Sequence, residues 1–296
     1  MLPSFITAIL WSMSVVCANQ SARLVGSIAA NLSRLCLAGV LLALWANIFG
    51  LGLGGGALMW FVLSGAVGFG VGDIAAYEAL PRIGSRLTIL MAQCLAAPFA
   101  ALVEWLWLGT TLTPSQITWA VVILVGVSVA VAPADHPHLD RKHLVPGALF
   151  GVLSAFGQGG GAVISRKAYE VAAGAGQHVD GGTAAYQRII GGIGFVLAFF
   201  IFLQVKTRHR ESAQHDWPHA WPWILAHTVT GPVVGVSCYQ WALATTPSGI
   251  VLPIVATTPL LVIPFAYFIE HDRPRVRSLI GGVIAVVGAV ALTIAH

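Results

Sequence analysis

The chain has 296 residues, of which 57% are hydrophobic and only 9% charged, with a mean hydropathy of +0.84 and a formal net charge of +4. Soluble domains carry roughly a quarter of their residues charged, so this composition excludes a water-soluble fold, and the small positive charge, held in short polar links, excludes a nucleic-acid binder. No charged residue occurs between Arg34 and Asp73, between Glu104 and Asp135, or between Asp216 and Glu270. Such runs exceed the ~20 residues that cross a bilayer, which predicts an all-α polytopic membrane protein.

In chain order, ten spans are predicted. The first is Pro3–Gln20, which lacks a basic leader and so reads as a membrane helix, not a cleaved signal peptide. Asn31–Ile48 and Ala57–Leu80 follow, separated by the glycine tract Gly50–Gly56, which is suited to a turn and not to a helix interior. Pro81 stops the third span. The fourth is Leu87–Leu108, and the fifth is Ser115–Ala132, with Pro114 in its first turn and Pro133 beyond its end. A polar link, Ala134–His143, joins the halves. The second half comprises Pro146–Arg166, Thr183–Val205, Trp221–Leu243, Ile250–Ile269 and Arg277–Ala295.

The halves echo one another. Gly68–Glu104 and Gly231–Glu270 share an order: a glycine-studded apolar run, an aromatic-polar cluster (Tyr77-Glu78 or Tyr239-Gln240-Trp241), a short break, then Pro-Phe (Pro98-Phe99, Pro264-Phe265) and a closing glutamate. Ala8, Leu10 and Ser14 recur as Ala148, Phe150 and Ser154. Arg34 opens the second span as Arg188 opens the seventh, and Gly126 recurs as Gly288. The division is residues 1–134 for the first five-helix repeat, 135–145 for the link and 146–296 for the second. Five spans per repeat force the copies into opposite orientations. Odd-numbered loops carry eleven Lys and Arg residues and even-numbered loops two, Arg166 and Lys167. By the positive-inside rule the odd loops are cytoplasmic and both termini face outward.

Ten spans in two inverted halves, with Arg34 and Arg188 at helix starts and Glu104 and Glu270 at helix ends, resemble the drug/metabolite transporter superfamily in its EamA-type branch. Within it the size and the aromatic-rich helices are similar to the YddG-type exporters of aromatic amino acids. The resemblance implies a multi-pass protein of the bacterial inner membrane. It also implies a central cavity walled by spans one, three, four, six, eight and nine, which exports small metabolites by proton-coupled or diffusive transport. It further implies cytoplasmic termini, opposite to the charge bias.

Ionisable groups within spans are functional candidates by default. Asp73, about seven residues inside the third span, is the deepest charge and a candidate proton carrier; a structural hydrogen bond to a neighbouring helix is the alternative. Glu78 is a second candidate, although Arg82 four residues on suggests an interfacial ion pair. Glu104 and Glu270 suit capping of the next helix, and Arg34 and Arg188 suit interfacial anchors outside the site. Substrate-binding candidates are Trp11, Tyr77, Gln93, Gln158, Tyr239, Gln240, Trp241 and Thr257, where amides and hydroxyls would hold a zwitterion and rings an apolar side chain. Packing and helix–helix hydrogen bonds use the same residue types.

Trp105, Trp107, Trp217, Trp221 and Trp223 suit an interfacial belt. Hinge candidates are Pro98, Gly159, Pro253 and Pro259, since proline removes a backbone bond and glycine permits bending. Small-residue faces at Gly126 and Ala130 and at Ala285 and Ala289 suit helix packing or dimer contact, leaving monomer and homodimer both open. The four cysteines lie in apolar runs without metal spacing, and no cofactor, metal or nucleic-acid partner is expected. Nor is an enzyme, because no nucleophile with a base occurs in the spans. The small-molecule substrate is expected to be an aromatic or other neutral amino acid; a proton-coupled antiporter of cationic drugs is the other reading.

Overall fold

The structure is a computed structural model that describes residues 1–131, 141–206, 216–261 and 276–295. Of a few helical positions, Tyr77 among them, the side chain lies outside the described residues. The same holds for residues 132–140 of the link and for Pro264, Phe265 and Glu270 of the second copy.

The described residues form helices and turns without a strand. The helices are α1 (Leu2–Val25), α2 (Ser27–Phe49), α3 (Leu58–Gly65), α4 (Asp73–Leu108), α5 (Pro114–Val131), α6 (Arg141–Gly174), α7 (Gly181–Lys206), α8 (Trp217–Thr228), α9 (Val234–Thr245), α10 (Ser248–Val255) and α11 (Val276–Ile294). π-helical turns at Ala66–Gly72 and Val229–Val233 join α3 to α4 and α8 to α9. Five of the segments are long and apolar enough to cross a membrane: Leu2–Val25, Ala29–Phe49, Leu58–Ala76, Leu90–Leu108 and Lys142–Gly174. Large apolar side chains such as Ile48, Phe49, Met59, Leu106 and Val283 are mostly exposed, as a lipid-facing perimeter requires.

Two expected boundaries change. Pro81 does not interrupt the helix, which runs from Asp73 to Leu108. That helix is not straight: Gly72 lies against Gly157, and Ala96 against Gly159, two positions on in α6. A straight helix would separate residues 72 and 96 by about 36 Å, so the chain turns back between them while keeping helical hydrogen bonding. The second change is that α2 begins at Ser27, four residues before the expected start at Asn31, because Gly26 at φ 82° makes the reversal from α1 in one residue.

Close helix contacts rest on glycine. A Cβ on Gly126 would fall 2.6 Å from Ala285 N, and one on Gly281 would fall 2.5 Å from Ala130 N. The two small-residue faces therefore meet each other within the chain, α5 against α11. On the face that carries the N-terminus, a cluster that includes Phe61, Tyr169, Leu243, Val251, Leu252 and Val255 closes the bundle. There the Phe61 and Tyr169 rings meet edge to face at 5.1 Å. Ser64 Oγ donates to the Gly161 carbonyl at 2.6 Å and lies 2.8 Å from Ser165 Oγ.

Candidate functional site

The polar centre is built on α1, α2, α7, α9 and the first π-turn. Because α2 starts at Ser27, Arg34 lies about 10 Å inside it, not at its mouth. Its Nη2 donates to Asp73 Oδ2 at 3.1 Å and its Nε to Asn31 Oδ1 at 2.8 Å. Asp73, the first residue after the π-turn, keeps 32% of its side-chain surface accessible. Arg188 reaches the same region from the other half. It is buried, with its guanidinium 5.3 Å from the centroid of the Phe69 ring and 5.9 Å from that of Tyr239. The expectation that Arg34 and Arg188 are interfacial anchors outside the site is thus corrected. The expected helix starts at Asn31 and Thr183 hid the signal: with α2 beginning at Ser27 and α7 at Gly181, each arginine lies seven residues inside its helix, where a charge is costly unless it is used.

The first π-turn, with its Gly68-Phe69-Gly70-Val71-Gly72 sequence, makes this convergence possible. A Cβ at Gly68 would stand 2.9 Å from Arg188 Nη2, and one at Gly70 would stand 2.6 Å from the Phe195 ring. Gly68 and Gly70 are cut-outs for α7, and Gly72 is one for α6.

Tyr239 and Gln240 are buried on α9, and neither the Tyr239 hydroxyl nor either amide atom of Gln240 has a protein partner. Trp11 stacks obliquely on Tyr239 at 5.3 Å and lies over Gly235. Gln158 Nε2 donates to Gln93 Oε1 at 2.9 Å, which joins α6 to α4. Other expected site residues stand apart. Trp241 is 52% exposed, because two helical steps turn it some 200° away from Tyr239; it is corrected to a perimeter residue. The Thr257 hydroxyl donates to the Ile254 carbonyl at 2.7 Å. That bond and the Thr258 hydroxyl's bond to the Val255 carbonyl at 2.6 Å serve carbonyls at the break before Pro259, whose missing N–H leaves the Val255 oxygen without its helical donor. Glu78 is held by Arg82 at 2.7 Å and is 46% exposed, the surface i,i+4 ion pair that was its alternative reading.

Among the hinge candidates, Gly159 has a packing reason of its own: its Cβ would meet the Ala96 carbonyl at 2.7 Å. Pro253 lies buried in α10, which ends at Val255 just before the turn leading to Pro259. Pro98 is exposed without a break in α4. Pro98 and Pro253 line a hollow of about 410 Å³ between α4, α5 and α10 whose walls are mainly apolar. None of the residues of the polar centre lines it.

Two further polar clusters frame the centre. His227 Nδ1 and Ser14 Oγ share a buried hydrogen bond of 2.6 Å between α8 and α1, beside the second π-turn. Toward the face carrying the N-terminus, Glu104 is 2% exposed and takes Arg166 Nε at 3.1 Å; its other oxygen accepts from Ser248 N at 2.7 Å and from the Ser248 hydroxyl. Arg166 also donates to the Leu243 carbonyl at 2.7 Å. Glu104 therefore caps a helix start, but that of α10, 144 residues on, and not of the next helix in the chain, as its position had suggested.

Asp180, in the turn before α7, caps that helix through the Gly182 and Thr183 N–H groups and takes Trp45 Nε1 at 2.9 Å. Partial burial alone would raise its pKa, but the hydrogen bonds from Thr183, Trp45 and Gly182 together hold it below the ordinary aspartate value. A lowered native pKa contributes stability above the unfolded value of about 3.9, and that contribution is lost as pH falls through the native one. Asp180→Asn is accordingly expected to lower the melting temperature at pH 7, with the gap to the parent narrowing as pH falls below about 4; a gap that stays constant as pH falls from 7 through the acid range would refute this account.

The sequence profile of the EamA-like transporter family matches residues 1–132 and 145–294. Among curated proteins none matches the sequence. A crystal structure of a protein whose title states no function is similar in fold, with a TM-score of 0.79 and 16% identity over 100% of this chain and 98% of the other.

Proposed function

Since the chain belongs to the EamA-like transporter family and is therefore a membrane transporter of the drug/metabolite type, we propose that it exports small metabolites, namely aromatic or other neutral amino acids. The observation that carries the reading is the polar-aromatic centre: Trp11 against Tyr239, with the Tyr239 hydroxyl and both Gln240 amide atoms buried and without protein partners. Buried polar atoms are nearly always hydrogen-bonded, so such a group in a membrane transporter is suited to a polar solute. Ten spans in two inverted repeats remain the architecture proposed. The two-part family match, the π-turns in the third and eighth spans and the arginines in the second and seventh support it. Alternating access then follows from bending at the π-turns and at the break before Pro259, and from rocking of the repeats.

A cationic-drug antiporter needs a membrane-embedded acid free to face its substrate. Here Asp73 is engaged by Arg34, with Arg188 close enough to act on it electrostatically, which favours a solute carrying negative charge over a cation.

Uptake of radiolabelled amino acids into liposomes that hold the purified protein, with and without a pH gradient, tests the reading. Saturable uptake of tryptophan or phenylalanine is expected. If Asp73→Asn leaves that uptake intact, Asp73 serves structure; if uptake loses only its response to the gradient, Asp73 carries the proton. Proton-dependent movement of organic cations, abolished in Asp73→Asn, with no amino acid uptake, would overturn the proposal in favour of the antiporter.

A further inference from the structure

We propose that Arg188 is the anchor for a carboxylate on the transported molecule, with the hydroxyls of Tyr239 and Tyr169 as accompanying donors; the inference rests on the exporter reading and names the charge class of its substrate. Arg188 is 4% exposed, and its Nε makes no hydrogen bond. Among the described residues, no carboxylate lies within ion-pair distance of it, and Asp73 is paired with Arg34 instead.

A guanidinium stays protonated at any accessible pH. In a helical bundle within lipid, a buried guanidinium with unused N–H groups is expensive unless something completes its shell. Flanking rings supply part of that compensation: Phe69 and Tyr239 lie 5.3 and 5.9 Å from the charge. They leave the in-plane N–H donors, whose fork matches a carboxylate.

The second observation is independent. Tyr169 and Tyr239, on α6 and α9, both lie within electrostatic reach of Arg188, both are at least nine-tenths buried, and both hydroxyls lack a protein partner. Three donor groups from three helices thus lie within electrostatic reach of one another around Arg188, and no described acid bonds any of them. Asp73, Asp180 and Glu104 lie within the same electrostatic reach, but each is already bonded elsewhere, to Arg34, to the start of α7 and to Arg166 and Ser248; neighbours in ring contact or apolar packing, Trp11 among them, suit the flat side chain of an aromatic acid. A purely structural Arg188, held by the rings and by attraction to Asp73, gives the tyrosine hydroxyls no task. The two accounts therefore differ at the tyrosines as well as at the arginine.

Three probes separate the charges: L-phenylalanine, 3-phenylpropionate (carboxylate only) and phenethylamine (ammonium only). Their binding to the purified full-length protein is followed by thermal shift and by tracer competition. Phenylalanine and 3-phenylpropionate are expected to bind, and phenethylamine is not. Arg188→Gln should weaken both carboxylates by about 30-fold or more, with only partial recovery in Arg188→Lys, which loses the fork. Tyr239→Phe should keep the parent's melting temperature, because the hydroxyl bonds nothing in the protein, yet weaken both carboxylates about tenfold. It decides the matter even if Arg188→Gln does not fold.

Unchanged carboxylate binding in Tyr239→Phe and Arg188→Gln, or phenethylamine binding as tightly as phenylalanine, would overturn the anchor. If phenylalanine still enters liposomes in that case, the exporter reading stands. If phenylalanine neither binds nor enters, both are overturned.

Discussion

Glu104→Ala is expected to destabilise the protein by about 3–5 kcal/mol, the loss typical when one partner of a buried ion pair is removed. The reason is where Glu104 sits. It is 2% exposed and is the shared acceptor for Arg166 on α6 and for the backbone and hydroxyl of Ser248 at the start of α10. Removal leaves Arg166, 17% exposed, with only the Leu243 carbonyl among the described residues, and leaves the first turn of α10 without its side-chain cap. Glu104→Gln should fall between, since its carbonyl still accepts from Ser248 N. The double variant Glu104→Gln with Arg166→Met should be more stable than Glu104→Ala, because no buried charge is then uncompensated. Thermal unfolding in detergent reads all three; a Glu104→Ala melting temperature equal to the parent's would show that the pair is not holding α4, α6 and α10 together.

The second large effect is expected at Gly65, under α7. A Cβ there would lie 1.7 Å from the backbone oxygen of Arg188, and the reciprocal Gly191 would place one 1.9 Å from the Val62 oxygen. Both clashes are with backbone, which no rotamer change relieves, so α3 and α7 must separate. Overpacking typically destabilises by 1–3 kcal/mol, and Gly65→Ala should reach about 3 kcal/mol or fail to yield monodisperse protein. Any Gly65→Ala protein that survives should also lose carboxylate binding, because widening the crossing carries the Arg188 guanidinium off Gly68. Gly194→Ala is the control. It lies on α7, three residues beyond Gly191, with nothing within 4 Å of the added carbon, and there alanine should be neutral or stabilising by up to about 1 kcal/mol. Equal behaviour at residues 65 and 194 would refute the crossing as the cause.

What the chain's order of residues determined by itself was the class and the parts. An apolar composition with charges tens of residues apart allows only helices in a bilayer, because unpaired backbone groups have no water there. Hydropathy and proline or glycine punctuation located most helices within a few residues, since both act over a few neighbours. The Glu78–Arg82 pair was legible for the same reason, since it follows from position along one helix; that Glu104 would act as a cap was legible too, but its partner on α10 was not.

The tertiary structure decided what those rules do not reach. Gly26 reverses the chain in one residue, which moves Arg34 from the mouth of α2 to its interior. The glycines of the first π-turn admit Arg188 and Phe195, and the fold-back within α4 lays both its arms along α6. Helical phase turns Trp241 outward while Tyr239 stays in. Arg34 with Asp73, and Arg188 with two tyrosines, are far apart in sequence and meet only through helix crossings. Those crossings are set by which small residues face one another, a pairing between segments that no single segment encodes.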